Sequence, residues 1–173
     1  MEPVRTNMSS FYVKKIKDDK SVERVLKYGR FNNRTVNGKK KKTNKVKYYG
    51  GMGVNIERIE EAVKDFRYVR RLFGKDKGVL AYHITVSFED SYPPDQVDRW
   101  IRKFCDLVFN GYQFVYGIHE KGNKSHAHII INSVGFKNGK KFQVPYPFRG
   151  EKYNTWYEMM QEELDLQITK SVK

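Results

Sequence analysis

The chain has 173 residues, enough for one domain with a sizeable core, and 39% of them are hydrophobic. Its 34 lysines and arginines outnumber 20 acidic residues, giving a formal net charge of +14 and an isoelectric point near 9.7. So basic a domain is expected to bind a polyanion, with nucleic acid as the first candidate. The sequence has neither an apolar run of about 18 residues nor the apolar core of a signal peptide, so we expect a cytoplasmic protein without membrane insertion.

Strand and helix patterns alternate along the chain. In order, the prediction is a strand at 11–17, a helix at 21–28, a helix from Asn55 to Gly74, a strand at 79–88, a helix between Pro94 and Gly111, strands carrying His119 and His128, and a helix at 151–166. Ser21 is expected to cap the first helix, and Gly29 to end it. With no internal repeat, residues 1–173 are predicted to form a single domain.

A basic segment separates the first two helices. Residues 30–47 are polar and rich in lysine, and Asn37-Gly38 within them is a turn signal. A glycine-rich joint follows. We therefore predict a mobile basic loop or hairpin within a flexible segment at about residues 30–54.

Three of the four histidines lie on two neighbouring predicted strands. Successive strand side chains point to opposite faces, so His126 and His128 share one face and Ala127 and Ile129 take the other. The same period can present His119 to the face of His126 and His128 from the strand before. Three imidazoles with positions left for substrate are typical of a catalytic metal site, because closed structural zinc sites use four ligands rich in cysteine and this chain has one cysteine.

These patterns predict an α+β fold with a central antiparallel sheet, helices packed on one face and the three-histidine metal cleft on the other. Nucleic acid should lie across that cleft. In the strand at 79–88, the alternation puts His83, Thr85 and Ser87 on one polar face, which is expected to join the cleft.

Two sequence blocks carry a family resemblance. Residues 82–88 (YHITVSF) and 126–134 (HAHIIINSV), followed by Gly135-Phe136 and by 139–142 (GKKF), resemble the blocks of conjugative relaxases of the mobilisation (MobP-like) class, which are HUH endonucleases. The resemblance covers most of residues 82–142 and, more loosely, the first helix. It implies one relaxase domain with the ferredoxin-like core of that superfamily.

The resemblance also implies an activity. Relaxases are site- and strand-specific endonucleases that nick single-stranded DNA at a transfer origin by transesterification, leaving the 5′-phosphate on a tyrosine. By this match His119, His126 and His128 would hold a divalent metal ion, Mg²⁺ or Mn²⁺. The implied partners are single-stranded or supercoiled origin DNA and accessory DNA-processing and transfer proteins in the bacterial cytoplasm.

The match extends to supporting residues. His83 and Ser87 would lie near the DNA backbone, and Glu120 and Asn132 would support the metal ligands and their strand. The basic segment is expected to clamp the DNA backbone, because phosphate attraction is a summed effect of many cations. Its candidate contacts are Arg30, Arg34, Lys39, Lys40, Lys41 and Lys42.

The nucleophile is assigned by position. In relaxases it precedes the histidines, at the end of an early helix, and Tyr28 occupies that place. The neighbouring cations Lys27 and Arg30 would stabilise a phenolate and attract phosphate. The substitutes for Tyr28 are Tyr12, Tyr48 and Tyr49.

Other functions stay open at this point. A nucleophile after the histidines, at Tyr153 or Tyr157, would make the protein a rolling-circle replication initiator or an HUH transposase. A basic, aromatic module that binds DNA without cutting it is a second alternative. A ribonuclease that uses histidines as acid and base is a third.

Overall fold

The computed structural model describes residues 10–88, 91–144 and Trp156, with the backbone alone for Ser10, 31–36 and 40–45. The predicted helix at 151–166, including Tyr153 and Tyr157, lies outside these residues except for Trp156. The elements in chain order are β1 Ser10–Ile16, α1 Asp19–Arg30, β2 Phe31–Val36, β3 Lys39–Lys45, β4 Tyr49–Met52, α2 Ile59–Leu72, β5 Ala81–Ser87, α3 Pro94–Val108, β6 Phe114–Lys121 and β7 Lys124–Asn132.

Five strands form an antiparallel sheet in the order β1-β5-β7-β6-β4. β5 pairs along its whole length with β7, and alternate side chains of both strands lie on opposite faces of the sheet. The predicted α+β class and central antiparallel sheet are confirmed.

Helices cover both faces of the sheet, and here the predicted layering is wrong. On one face, α3 packs Ile101 and Phe104 against Ile129 and Ile131 of β7. On the other face, α1 and α2 form a second core around Ile130 of β7. Since Ile130 shares its face with His126 and His128, the histidines lie on a helix-covered face, beyond the end of that second core.

The basic segment forms a β-hairpin. β2 and β3 pair antiparallel, and the turn between them places Asn37 at φ 51° and Gly38 at φ 72°. Two consecutive residues with positive φ are what a tight two-residue hairpin turn needs, and asparagine followed by glycine adopts them at the lowest cost. The hairpin was one of the two forms expected for this segment.

Polar side chains start the first two helices, at positions slightly different from those predicted. Asp18, rather than Ser21, begins α1: its carboxylate accepts hydrogen bonds from the backbone N–H and the hydroxyl of Ser21, both at 2.8 Å. Asn55 Oδ1 accepts from the backbone N–H groups of Glu57 and Arg58 at 3.0 Å, and α2 begins only after that turn. In both cases the side-chain oxygen takes up N–H groups that lack helical partners.

A buried arginine ties α2 to the start of α1. Arg70 is fully buried, and its guanidinium donates to Asp19 at 2.6 Å and to Asp76 at 2.8 Å. Arg67 donates to the same Asp19 carboxylate at 2.9 Å. Burial works to raise the pKa of Asp76, but the hydrogen bonds and charges of Arg70 and Arg71 outweigh it and hold that pKa below its ordinary value of 3.8.

Within the described ranges, no helix is long and apolar enough to cross a membrane.

We expect Asp76→Asn to lower the free energy of unfolding at neutral pH by about 1–3 kcal/mol, because it leaves a buried guanidinium with one carboxylate fewer. The unfolded chain binds more protons than the folded one near the Asp76 pKa, so this contribution is complete above pH 3.8 and disappears as the pH falls further. Urea melts at several pH values measure it. Asp95→Asn, which breaks the exposed pair with Arg99, should leave stability nearly unchanged, and an equal effect of both variants would contradict the role of the buried network.

Candidate metal centre

The strand register brings the three predicted ligands together. His126 and His128 lie two residues apart on β7, and His119 of β6 pairs directly with His126. The imidazole centroids are 5.3 Å apart for His119 and His126, 4.6 Å for His119 and His128, and 4.9 Å for His126 and His128. One ligand nitrogen from each ring lies within 4.8 Å of the other two, close enough to hold a single metal ion.

The donor set fits a metal. His128 Nε2 is buried and has no hydrogen-bond partner among the described residues. A buried polar atom without a partner is costly, and a metal ion would satisfy its lone pair. Among the described residues the cluster consists of three histidines without a carboxylate, and three nitrogen donors suit a range of divalent ions rather than selecting one.

The fourth histidine orients one of the other three. His83 Nε2 lies 2.9 Å from His128 Nδ1, and Thr85 Oγ1 lies 3.4 Å from the same atom. When His128 donates its Nδ1–H to His83, the lone pair of His128 Nε2 is directed at the cluster. Hydrogen bonds of this kind hold the tautomer and ring orientation of a metal ligand. His83 therefore contacts a candidate ligand, and its expected contact with the DNA backbone stays a prediction.

Burial keeps the cluster neutral. It lowers the pKa of His128 to about 2, with further lowering by the charges of His119, His83 and His126. It lowers the pKa of His126 to about 4, where His119 and Lys121 add to the effect, and it also lowers the pKa of His119 against hydrogen bonds to the backbone of Gly29 and Tyr28. Near neutral pH each ring thus has a free lone pair, the form that binds metal.

A contact between two glycines brings α1 down onto the histidines. A Cβ at Gly117 of β6 would lie 2.0 Å from the Gly29 carbonyl oxygen, and one at Gly29 would lie 3.7 Å from the Cβ of His128. The helix end can approach this closely only because Gly117 lacks a side chain. The same Gly29 oxygen accepts the Nε2–H of His119 at 3.0 Å, which leaves Nδ1 of that ring for a metal.

Tyr28, one residue before this contact, lies over the cluster. Its ring centroid is 4.7 Å from that of His128, 5.6 Å from that of His119 and 6.3 Å from that of His83. The side chain is 40% exposed, so solvent and a ligand can both reach it. The structure thus brings the predicted tyrosine and the three predicted metal ligands into one site.

The two cations expected to help Tyr28 are engaged elsewhere. Lys27 forms an ion pair with Glu23 on the same helix. Arg30 is buried, where it donates to the carbonyl of Val46 at 3.1 Å and stacks 3.2 Å above the ring of Tyr49. Its burial contradicts the expected exposed contact with DNA phosphate.

Three further predicted residues lie on the strands that carry the histidines. Ser87 pairs with His126 across β5 and β7, so it shares the histidine face. Glu120 is exposed and alternates to the opposite face from His119, and Asn132 lies four residues beyond His128, where it donates to Phe66 O and Gln113 Oε1. Asn132 thus fastens β7 to α2, as expected for a residue that supports this strand, and the supporting role of Glu120 stays a prediction.

The predicted basic contacts lie on the hairpin. Lys39 is exposed at the start of β3. The backbone of Arg34 pairs with that of Lys41, and the neighbouring pairs join Thr35 to Lys40 and Asn33 to Lys42. All four lysines at 39–42 therefore belong to one strand, and the hairpin follows α1 directly.

Sequence reasoning missed Gly29, Gly117 and the contact of His83 with His128. One signal was available: a glycine inside a strand pattern often marks a close approach of another backbone, and Gly117 lies between Tyr116 and Ile118. Gly29 was interpreted only as the end of the first helix, and its contact with Gly117 was not predicted. The His83 contact depends on the β5–β7 register, which puts Thr85 opposite His128.

Comparison with known proteins agrees with this geometry. Residues 32–166 match the family described as "Relaxase: MobA/VirD2-like, nuclease domain". A protein named "Protein rlx" from Staphylococcus aureus is 29% identical over 92 residues, which is 53% of this chain and 29% of that protein. "Group II intron-interrupted relaxase LtrB" from Lactococcus lactis subsp. cremoris is 36% identical over 72 residues, which is 39% of this chain and 13% of that protein. The chain thus spans less than a third of these curated relatives.

A solved structure described as "Molecular Basis of Vancomycin Resistance Transfer in Staphylococcus aureus" has the same fold. It superposes with a TM-score of 0.60 over 95% of this chain and 94% of the other, at 14% identity. The family match covers most of the chain and includes the strands that carry all the histidines. This chain therefore belongs to the MobA/VirD2-like relaxase nuclease domain family.

Proposed function

We propose that this domain nicks one strand of DNA at a specific transfer origin, with Tyr28 as the nucleophile and a divalent metal ion on His119, His126 and His128. The observation that carries the proposal is the position of Tyr28, whose ring lies 4.7 Å from that of His128 and within 6.3 Å of two more imidazoles. A nucleophile and a metal site this close together can act on the same phosphate.

In the proposed reaction the Tyr28 oxygen attacks the scissile phosphorus. A bond forms between that oxygen and phosphorus, the phenol loses its proton, and the bond from phosphorus to the 3′-oxygen breaks. The 3′-oxygen takes up a proton in return, so the leaving strand ends in a 3′-hydroxyl and the 5′-phosphate stays on the tyrosine. The phosphodiester energy is kept in the phosphotyrosine, and attack by a 3′-hydroxyl reverses the step without ATP. A bound Mg²⁺ or Mn²⁺ would polarise the phosphoryl oxygens and offset charge that develops on them.

The other tyrosines near the hairpin are less suited to this step. Tyr49 donates its hydroxyl to Glu57 at 2.6 Å, and this hydrogen bond, together with burial, raises its pKa. Its ring is also covered by the Arg30 guanidinium. Among the described residues the Tyr28 hydroxyl forms no hydrogen bond, and its ring faces the imidazoles.

For DNA we propose a path across the histidine face, with the hairpin of β2 and β3 beside it. Lys39 to Lys42 on β3 would neutralise phosphates and give a salt-sensitive, sequence-independent part of the affinity. The proposed partners are origin DNA, single-stranded or supercoiled, and accessory processing and transfer proteins.

The deciding measurement is the site of covalent attachment. We expect labelled single-stranded oligonucleotides from the native element, incubated with Mn²⁺, to become attached to Tyr28, as mapped by mass spectrometry of the DNA-bearing peptide. Tyr28→Phe should lower nicking by at least about 1,000-fold because it removes the attacking oxygen. Tyr68→Phe on α2 is the matched control and should nick normally.

The alternatives predict other results. Attachment at Tyr153 or Tyr157 would move the protein to the replication initiators or transposases. Binding without any adduct, with the true origin in the panel, would indicate a non-catalytic DNA-binding module.

Measurements of Mn²⁺ binding distinguish a proposed metal ligand, His126, from the residue proposed to orient a ligand, His83. We expect His126→Ala to abolish nicking and detectable Mn²⁺ binding in calorimetry, while much of the affinity for DNA remains. His83→Ala should weaken Mn²⁺ binding by about 10–100-fold, since it removes the group that orients His128. Normal Mn²⁺ affinity in His83→Ala, with weakened binding of DNA, would support His83 as a DNA contact and contradict the ligand-orienting role.

The glycine contact predicts a positional defect. Gly117→Ala would place a methyl group against the Gly29 carbonyl, so α1 must shift and carry Tyr28 away from the cluster. We expect a loss of about 1–3 kcal/mol in stability, together with a large drop in nicking per folded molecule. Gly122→Ala, in the β6–β7 turn at φ 64° with open space around it, should cost about 1 kcal/mol and leave nicking intact. Equal nicking by both variants would show that the contact does not position Tyr28.

A further inference from the structure

Two side chains of the edge strand β1 lie in line with the histidines. Tyr12 pairs with Thr85 of β5, which pairs with His128 of β7, so the three share one row across the sheet and one face. Lys14 pairs with His83 in the same way. Neighbouring strands are about 4.8 Å apart, so the backbone of Tyr12 is two strand spacings, or about 10 Å, from the backbone of His128.

Tyr12 contributes little to the packing of the domain. Its neighbours on β1, Phe11 and Val13, alternate to the other face and belong to the core beneath α3, whereas Tyr12 is 64% exposed. Lys14 is exposed as well, and it lies opposite His83 on the neighbouring strand. An exposed aromatic ring next to an exposed cation is the arrangement with which proteins bind single-stranded nucleic acid, since every base has a face to stack.

Edge-strand protection explains only part of this pattern. Lysines on an edge strand discourage pairing with other sheets, and Lys15 and Lys17 on or beside β1 serve that purpose. A large exposed aromatic ring has the opposite effect, because it adds apolar surface to an open edge. The presence of Tyr12 is therefore better explained by a ligand that covers the ring.

We propose that Tyr12 and Lys14 form a subsite for single-stranded DNA, in which one base stacks on the Tyr12 ring and Lys14 neutralises an adjacent phosphate. A strand whose scissile phosphate lies at the histidines and that continues over β5 reaches β1 within about three nucleotides, given a rise of about 3.4 Å per stacked nucleotide. Tyr12 is then a positioning residue, which holds the DNA in register beside Tyr28. The subsite rests on the proposed function for its substrate.

The test compares two probes with the same backbone charge. One is fluorescently labelled oligo-dT of about 20 nucleotides, and the other is a fully abasic strand of the same length. We expect Tyr12→Ala to weaken binding of oligo-dT by about 5- to 100-fold, the range for loss of one base stack, and to leave the affinity for the abasic strand unchanged. Tyr12→Phe keeps the ring and should bind both probes like the wild type.

Two further variants complete the design. Tyr68→Ala removes a tyrosine that is equally exposed, at 68%, but lies on α2, so it should leave the affinity for both probes unchanged. Lys14→Gln should weaken both probes alike and reduce the slope of log affinity against log salt by about one, as expected for one lost phosphate contact. Thermal melts confirm that each variant is folded.

Unchanged binding of oligo-dT by Tyr12→Ala, or equal losses on both probes, would overturn the subsite. That result would leave the proposed nicking unaffected, because nicking is measured separately through the adduct on Tyr28. Conversely, base-dependent binding through Tyr12 without any adduct would support the subsite and reject the nuclease. Nicking by Tyr12→Phe at the wild-type rate would also exclude Tyr12 as the nucleophile.

Discussion

The Gly29 carbonyl oxygen touches β6 at Gly117, at a distance that excludes any side chain on that strand position. This contact sets how the end of α1 lies on the sheet, and three features of the site depend on it. The carbonyl accepts the hydrogen bond that turns His119. The chain direction at Gly29 places Tyr28 over the imidazoles. The hairpin begins directly after α1, so its position beside the site follows as well.

Burial of the imidazoles destabilises the folded domain unless a metal ion binds them. Packing four rings under a helix end removes them from water, which is why the pKa of His128 falls to about 2 and its Nε2 has no partner in the described part of the chain. A metal ion would reverse this balance, because it would satisfy the lone pair that burial has left without a partner. The stability of the domain must therefore come from elsewhere, and the two apolar cores and the buried Arg70 network provide it.

The sheet separates these tasks by strand alternation. On β7, Ala127, Ile129 and Ile131 pack under α3, while His126 and His128 face the site. Farther along the same face, Ile130 packs under α1 and α2, and Asn132 holds the strand to α2. One strand thus carries the core of both faces and two of the three candidate ligands, so movement of β7 would disturb packing and site together.

Local patterns were enough to predict much of this molecule. Period-two alternation on β7 predicted a shared face for His126 and His128, because the pleat decides which side chains of one strand lie together. His119 could join them from the neighbouring strand, which the register between β6 and β7 confirms. Asn37-Gly38 indicated the hairpin, since few residue pairs accept two positive φ angles. The order of strands and helices, and the motif blocks at 82–88 and 126–134, predicted the α+β class and the family.

Contacts between elements distant in sequence were decided by the tertiary structure. Register and helix placement decide which of these residues meet. They set the side of the sheet on which α1 packs, the burial of Arg30 against Tyr49 and the hydrogen bond between His83 and His128. The family resemblance assigned supporting roles to Glu120 and Asn132; packing joins Asn132 to Phe66 of α2 and to Gln113, and strand alternation puts Glu120 on the face opposite His119. Sequence alone determined which residues share a strand face, because that depends on the geometry of one chain segment; packing decided which faces meet, because that depends on the shapes of segments folded against each other.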